Sequence, residues 1–161
     1  MKNGKILVGI THGDINGVGY EIILKLFSEP MMLELCTPII YGSPKVATYH
    51  RKAMELTTNF VTIQKGDEAV EGRLNLVDCL TDEVKIDFGQ PSAESGKAAL
   101  AALERAMADY REGLFDVLVT APINKATIQG DGFHFPGHTE YIQERAGEGR
   151  EALMILMNDV L

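Results

Sequence analysis

Two polar segments carry most of the residues able to do chemistry. The first, THGDINGVGYE (11–21), sets His12, Asp14 and the glycines Gly13, Gly17 and Gly19 directly after an apolar run. The second, TAPINKATIQGDGFHFPGHTEY (120–141), presents Asn124, Lys125, His134, His138 and Thr139 between Pro122, Gly130, Gly132, Pro136 and Gly137. Glycine permits tight backbone geometry, and a helix that begins after such a turn offers free N–H groups at the positive end of its dipole. Each segment therefore has the parts of an anion site. Neither matches a named phosphate cradle: the glycine spacing is not G-x-G-x-x-G, and no Gly-Lys-Ser/Thr follows. The plain structural alternatives stay open. Asp14 or Asn16 can cap a helix, Lys125 can be a surface lysine, His138 a helix-start residue, and His134, between Phe133 and Phe135, a packed loop histidine.

The elements around these segments alternate. KILVGIT (5–11) is a continuous apolar run, as a strand covered on both faces requires, and YEIILKLFSE (20–29) then spaces Ile22, Ile23, Leu26 and Phe27 at helical intervals. TPIIYG (37–42) predicts a second strand, and Ser43-Pro44 opens a helix to about Leu56. FVTIQ (60–64) and RLNLVDC (73–79) read as strands, forming a hairpin or a sheet edge. The longest helix runs from a Ser92 cap to Gly113, with Leu100, Leu103, Met107, Tyr110 and Leu114 as its apolar row. FDVLVTA (115–121) is a further strand, GHTEYIQERAG (137–147) a short helix, and ALMILM (152–157) a last strand. This order predicts an α/β fold with a largely parallel sheet. Both polar segments then fall at the carboxyl edge of that sheet, where ligands of α/β proteins sit.

Composition narrows the partners. The chain has 161 residues, enough for one domain with a proper core, and a formal net charge of -8 without a Lys/Arg cluster. That balance argues against nucleic acid and anionic membrane surfaces, while a local basic pocket can still hold a phosphate. Cys36 and Cys79 sit in apolar sequence with no metal spacing, and buried free thiols in a reducing compartment are expected. No signal peptide or membrane span is visible, so the expectation is a cytoplasmic protein. Asn158-Asp159 looks like a hairpin turn followed by only Val160-Leu161, which suggests a fragment of a longer chain.

Four blocks, ITHGDINGVGYEI (10–22), GQPSAESGKAALAALERA (89–106), LVTAPINKATI (118–128) and FPGHTEYI (135–142), resemble in order the signature blocks of the 4-hydroxythreonine-4-phosphate dehydrogenase family of pyridoxal phosphate biosynthesis. They span most of the chain, Pro-Gly-His-Thr-Glu with its following aromatic being the most specific. His12 departs from the proline that the family often carries in the first turn. The resemblance implies an α/β/α fold like that of isocitrate and isopropylmalate dehydrogenases, with a first domain portion over 1–121 and the start of a second over 122–161. It implies oxidation of a secondary alcohol with NAD or NADP, then decarboxylation, assisted by a divalent metal (Zn, Mg or Co) whose histidine ligands are expected beyond residue 161. It implies a homodimer with the site at the subunit interface, a small phosphorylated substrate on His138 and Thr139, and His12, Gly13, Asp14, Asn124 and Lys125 lining the cleft. The alternatives are dehydrogenases of 4-phosphoerythronate or 4-phosphothreonate, a phosphate acyltransferase on a related fold, and a binding protein without turnover.

Overall fold

The computed structural model describes residues 4–130 and 132–158. Five strands form one wholly parallel sheet: β1 (Ile6–Thr11), β2 (Cys36–Gly42), β3 (Phe60–Ile63), β4 (Leu74–Asp78) and β5 (Val117–Thr120), in the order β3-β4-β2-β1-β5. Alternate residues of each strand enter opposite cores. Ile10, Ile40, Leu74 and Leu76 meet Ile23, Leu24, Val46 and Ala47 from α1 (Gly19–Leu26) and α3 (Pro44–Ala53). Leu7, Ile39, Tyr41 and Val77 meet Ala102 and Ala106 from α4 (Ala93–Arg111). Helices on both faces are what a parallel sheet needs, since neither face can be left to water. The expected α/β/α architecture is present.

The differences from expectation have local causes. β3 and β4 pair in parallel, not as a hairpin, because residues 64–73 carry the chain back through a 3-10 turn at Gly66–Glu68. That turn is anchored by Asp109, which is buried. Its carboxylate accepts hydrogen bonds from the Tyr41 hydroxyl (2.9 Å), the Gly66 N–H (3.1 Å) and Arg105 Nε (3.1 Å). A buried charge with three donors is compensated, whereas one left alone is costly. α4 is capped as expected, Ser92 Oγ accepting from Ser95 N at 3.0 Å. Its buried side, however, is broader than the leucine row. Ala98, Ala102 and Ala106 face inward, while Tyr110 is exposed. Small side chains let the helix lie close to the sheet.

Two short helices, α2 (Pro30–Leu35) and α5 (Lys125–Ile128), were not anticipated by the pattern. The segment 152–157 forms no strand. It is exposed and without regular structure, because a strand needs a ladder partner and none lies beside it among the described residues. The turn read at 158–161 falls mostly outside the described residues. Cys36 and Cys79 are free but half-buried, and burial pushes the Cys79 thiol up to about 12. No helix among the described residues is long and apolar enough to cross a membrane.

Candidate functional site

The turn after β1 is built tightly against the end of β5. Gly13 has φ +73°, and a Cβ there would stand 2.3 Å from the Pro122 carbonyl oxygen, so glycine is required twice over. Asp14 N donates to that same carbonyl at 2.9 Å. Asp14 Oδ1 accepts from Asn16 N at 2.9 Å, closing an Asx turn. Asn16 then ties this turn to the segment leading into α4. Its Nδ2 donates to Gln90 O (2.8 Å), and its Oδ1 accepts from Asp87 N (2.8 Å). Neither Asp14 nor Asn16 caps α1; Val18 occupies that position without a side-chain hydrogen bond.

His12 does not line a surface. It is fully buried, its ring stacked on Tyr20 with centroids 5.2 Å apart, and Tyr20 in turn packs against His50. Both ring nitrogens lack a hydrogen-bond partner. Burial lowers its pKa from 6.5 to about 4; the backbone of Ala98 and of Gly13 opposes this without reaching hydrogen-bond geometry with the ring. His12 is thus a neutral core residue beneath the turn.

The segment after β5 is arranged differently. Asn124 caps α5, its Oδ1 accepting from Ala126 N (3.0 Å) and Thr127 N (3.3 Å). Lys125 is exposed, and its chain runs to Gly137, where a Cβ would meet Nζ at 3.9 Å. Gly137 precedes α6 (His138–Ala146), and no side chain caps that helix. The first N–H groups of α6, the Lys125 ammonium and His138 therefore share one place. His138 is half-buried, its Nε2 shielded and without a partner. Burial first, and the Lys125 charge second, hold its pKa below the ordinary histidine value. A neutral imidazole beside an ammonium and a helix N-terminus suits an anionic, hydrogen-bonding ligand. Glu140, in the same first turn, limits the net positive charge there.

Of the expected residues, the structure brings Lys125 to His138, and Gly13 and Asp14 to Pro122, two positions before Asn124. Thr139 is exposed and turned elsewhere, since neighbouring helical residues point about 100° apart. It borders a cleft of 760 Å³ with Tyr110, Leu118, Ile142 and Gln143. His134 is exposed, not packed; its phenylalanine neighbours turn inward against Tyr141 instead. Sequence reasoning missed Asn16 as a clamp and Gly96 as a contact point. A Cβ on Gly96 would stand 1.8 Å from Thr127 O, so only glycine lets α5 lie on α4. A glycine inside an otherwise strong helix is the signal that could have found it. Among the described residues no group of three or more His, Cys, Asp or Glu converges to hold a metal.

Comparison with known proteins bears on the family and the fold. The family described as Pyridoxal phosphate biosynthetic protein PdxA matches residues 34–161. The chain is 64% identical over 159 residues to 4-hydroxythreonine-4-phosphate dehydrogenase of Bacteroides thetaiotaomicron, covering 99% of this chain and 44% of the relative. A relative from Oceanobacillus iheyensis, named for D-threonate 4-phosphate, is 30% identical, with 94% of this chain and 46% of the relative covered. The crystal structure of a 4-hydroxythreonine-4-phosphate dehydrogenase from Burkholderia phymatum superimposes with a TM-score of 0.82 at 30% identity, over 90% of this chain and 44% of that one. The chain thus spans somewhat less than half the length of the curated relatives it matches. With a parallel sheet, a glycine turn at its carboxyl edge and the Pro-Gly-His-Thr-Glu helix start all in place, this chain belongs to the PdxA family of pyridoxal phosphate biosynthetic proteins.

Proposed function

We propose that this chain is part of a dehydrogenase acting on 4-hydroxythreonine 4-phosphate, and that its share of the work is to hold the phosphorylated substrate. The observation that carries the reading is the meeting of Lys125, the uncapped start of α6 and the unpartnered Nε2 of His138. The 64% identity to a relative of that name supports the substrate. The Lys125 ammonium and the first amides of α6 neutralise anionic oxygens. Neutral His138 keeps one ring N–H to donate, and its shielding from water strengthens that bond. The same reading includes a cytoplasmic homodimer with the site at the subunit interface, NAD or NADP as hydride acceptor, and a divalent metal. The described residues supply no metal donor set, so no metal step is assigned to them.

A second substrate, D-threonate 4-phosphate, is favoured by the 30% identical relative named for it. Both substrates carry the phosphate that Lys125 and α6 would hold. In the complete protein, His138→Ala should lower kcat/KM about 10- to 150-fold through a raised KM, the cost of a hydrogen bond to a charged group. Steady-state NADH formation with each of the two substrates measures this. An unchanged kcat/KM with both removes His138 from the substrate and overturns the reading.

A further inference from the structure

α6 begins without a side-chain cap, so something else must fix the direction in which its first residue, His138, points. Tyr141 stands one turn on from His138, and residues three apart on a helix share a side. Its ring is fully buried. It stacks on Phe133 with centroids 5.3 Å apart and meets Phe135 edge-on at 5.4 Å. Phe135 lies two residues before Gly137, which holds the cap position, and Tyr141 is the fourth residue of the helix. An apolar contact from just before the cap to the fourth helical residue is a staple, and it sets the angle at which the chain enters. Pro136 takes the usual staple position, so the contact is made one residue earlier. The backbone of Phe135 is held as well, its carbonyl accepting from Gln129 Nε2 at 2.8 Å.

The same apolar cluster takes in Leu103 and Met107 of α4 and Ile128 of α5, the helix that starts at Lys125. Lys125 and His138 are thus carried by elements that share one core. The far end of α6 is held separately: Arg111 Nε and Nη2 both donate to Arg145 O, at 2.9 and 2.6 Å. Loss of the Tyr141 ring therefore loosens the start of α6 while its end stays docked. The Tyr141 hydroxyl, by contrast, is buried and has no hydrogen-bond partner among the described residues. What Tyr141 contributes comes through its ring.

We propose that Tyr141 is the positioning residue for His138: its ring, stapled to Phe135, holds the imidazole beside Lys125 in the orientation that receives the phosphorylated substrate. Tyr141 itself touches no substrate and acts only through His138. The proposal rests on the reading of His138 as a substrate residue, and one arm of its test is independent of that reading.

The test compares the complete protein with Tyr141→Leu, Tyr141→Phe, His138→Ala and the double variant Tyr141→Leu/His138→Ala. In NADH formation from 4-hydroxythreonine 4-phosphate, Tyr141→Leu should raise KM roughly 10-fold and leave kcat within about twofold. Tyr141→Phe should restore both values, as an unpartnered hydroxyl requires. The double variant should be no worse than His138→Ala alone, because two residues acting through one contact are not additive. The independent arm is an NMR titration of the His138 ring, its signal assigned by its loss in His138→Ala. Tyr141→Leu should move that pKa up toward 6.5, since burial and the Lys125 charge now hold it down, and Tyr141→Phe should not move it. If Tyr141→Leu does not fold, Phe135→Leu breaks the other half of the staple at a half-buried position, with the same outcomes expected. Additive losses in the double variant, a loss with Tyr141→Phe equal to that with Tyr141→Leu, or an unmoved His138 pKa overturns the proposal. If His138→Ala leaves kcat/KM unchanged, the substrate reading fails, and the titration alone decides whether Tyr141 sets the ring.

Discussion

The turn after β1 and the segment after β5 look alike in sequence, each a glycine-rich polar stretch between a strand and a helix, yet they place their polar groups oppositely. In the first, the chain uses them on itself: Asn16 bonds Gln90 and Asp87, Asp14 bonds Asn16 and Pro122, and His12 is sealed in the core. In the second, Asn124 is committed as a cap and Thr127 and Gln129 bond nearby carbonyls, while Lys125 has no ion pair among the described residues and His138 Nε2 has no partner. Unsatisfied groups cost stability; within reach of solvent, as at His138, they can be completed by a ligand, whereas the buried ring of His12 cannot. Polar residue types are not what separates a scaffold turn from a binding loop. What separates them is where the open groups lie: those of His12 are sealed in the core, whereas that of His138 sits beside an exposed ammonium and an uncapped helix start.

Substitution in the first turn should therefore damage folding, and in the second binding. Gly13→Ala should have the largest effect, destabilising by roughly 3–4 kcal/mol, since it combines a left-handed backbone with a clash against Pro122. Urea denaturation measures it, and a loss under 1 kcal/mol would show that the turn is slack. Next comes acid. The folded-state pKa of His12 lies below its unfolded value of 6.5, so the unfolded chain binds the proton more readily between pH 6.5 and about 4. Stability contributed by the neutral ring is present above 6.5 and falls as pH drops through that window, by on the order of 3 kcal/mol. His12→Phe keeps the stack on Tyr20 and should flatten this part of the pH–stability curve; an unchanged slope would assign it to other groups. Asn124→Ala should cost about 1 kcal/mol, the usual value of a helix cap, read from the same denaturation curves. Lys125→Met should leave stability almost unchanged, yet move the His138 pKa upward by removing a neighbouring positive charge. An NMR titration of the ring follows that shift, and no movement would separate Lys125 from His138.

Much of the frame could be read directly. The apolar runs at β1 and β2, the Ser92 cap and the strand-helix alternation led to a parallel sheet with helices on both faces, because burial on two sides leaves a continuous apolar signature. α2 and α5 escaped because six and four residues cannot show a period. The segment 152–157 has the composition of a strand, but composition does not supply a neighbour to pair with. At the candidate site, the placement of Asn124 and Lys125 at the carboxyl edge of the sheet followed from position after a strand, whereas the approach of Lys125 to Gly137 and His138 did not. The burial of His12 did not, since nothing local says that a polar ring will stack beneath Tyr20. Thr139 was read together with His138 as a pair, although a helix turns adjacent residues apart.

The Asp109 anchor also governs how the protein will emit light. The sequence has no tryptophan and five tyrosines, so its ultraviolet fluorescence is tyrosine emission. Tyr41 donates its phenol proton toward a buried carboxylate, and an excited phenol gives up that proton readily, which quenches it. Folded molecules should thus be dim at Tyr41, and emission should rise when the Tyr41–Asp109 bond breaks. That bond joins β2 to α4, and the same carboxylate holds the turn before β4 through Gly66 N–H, so a label-free optical signal reports on the docking of the longest helix against the sheet.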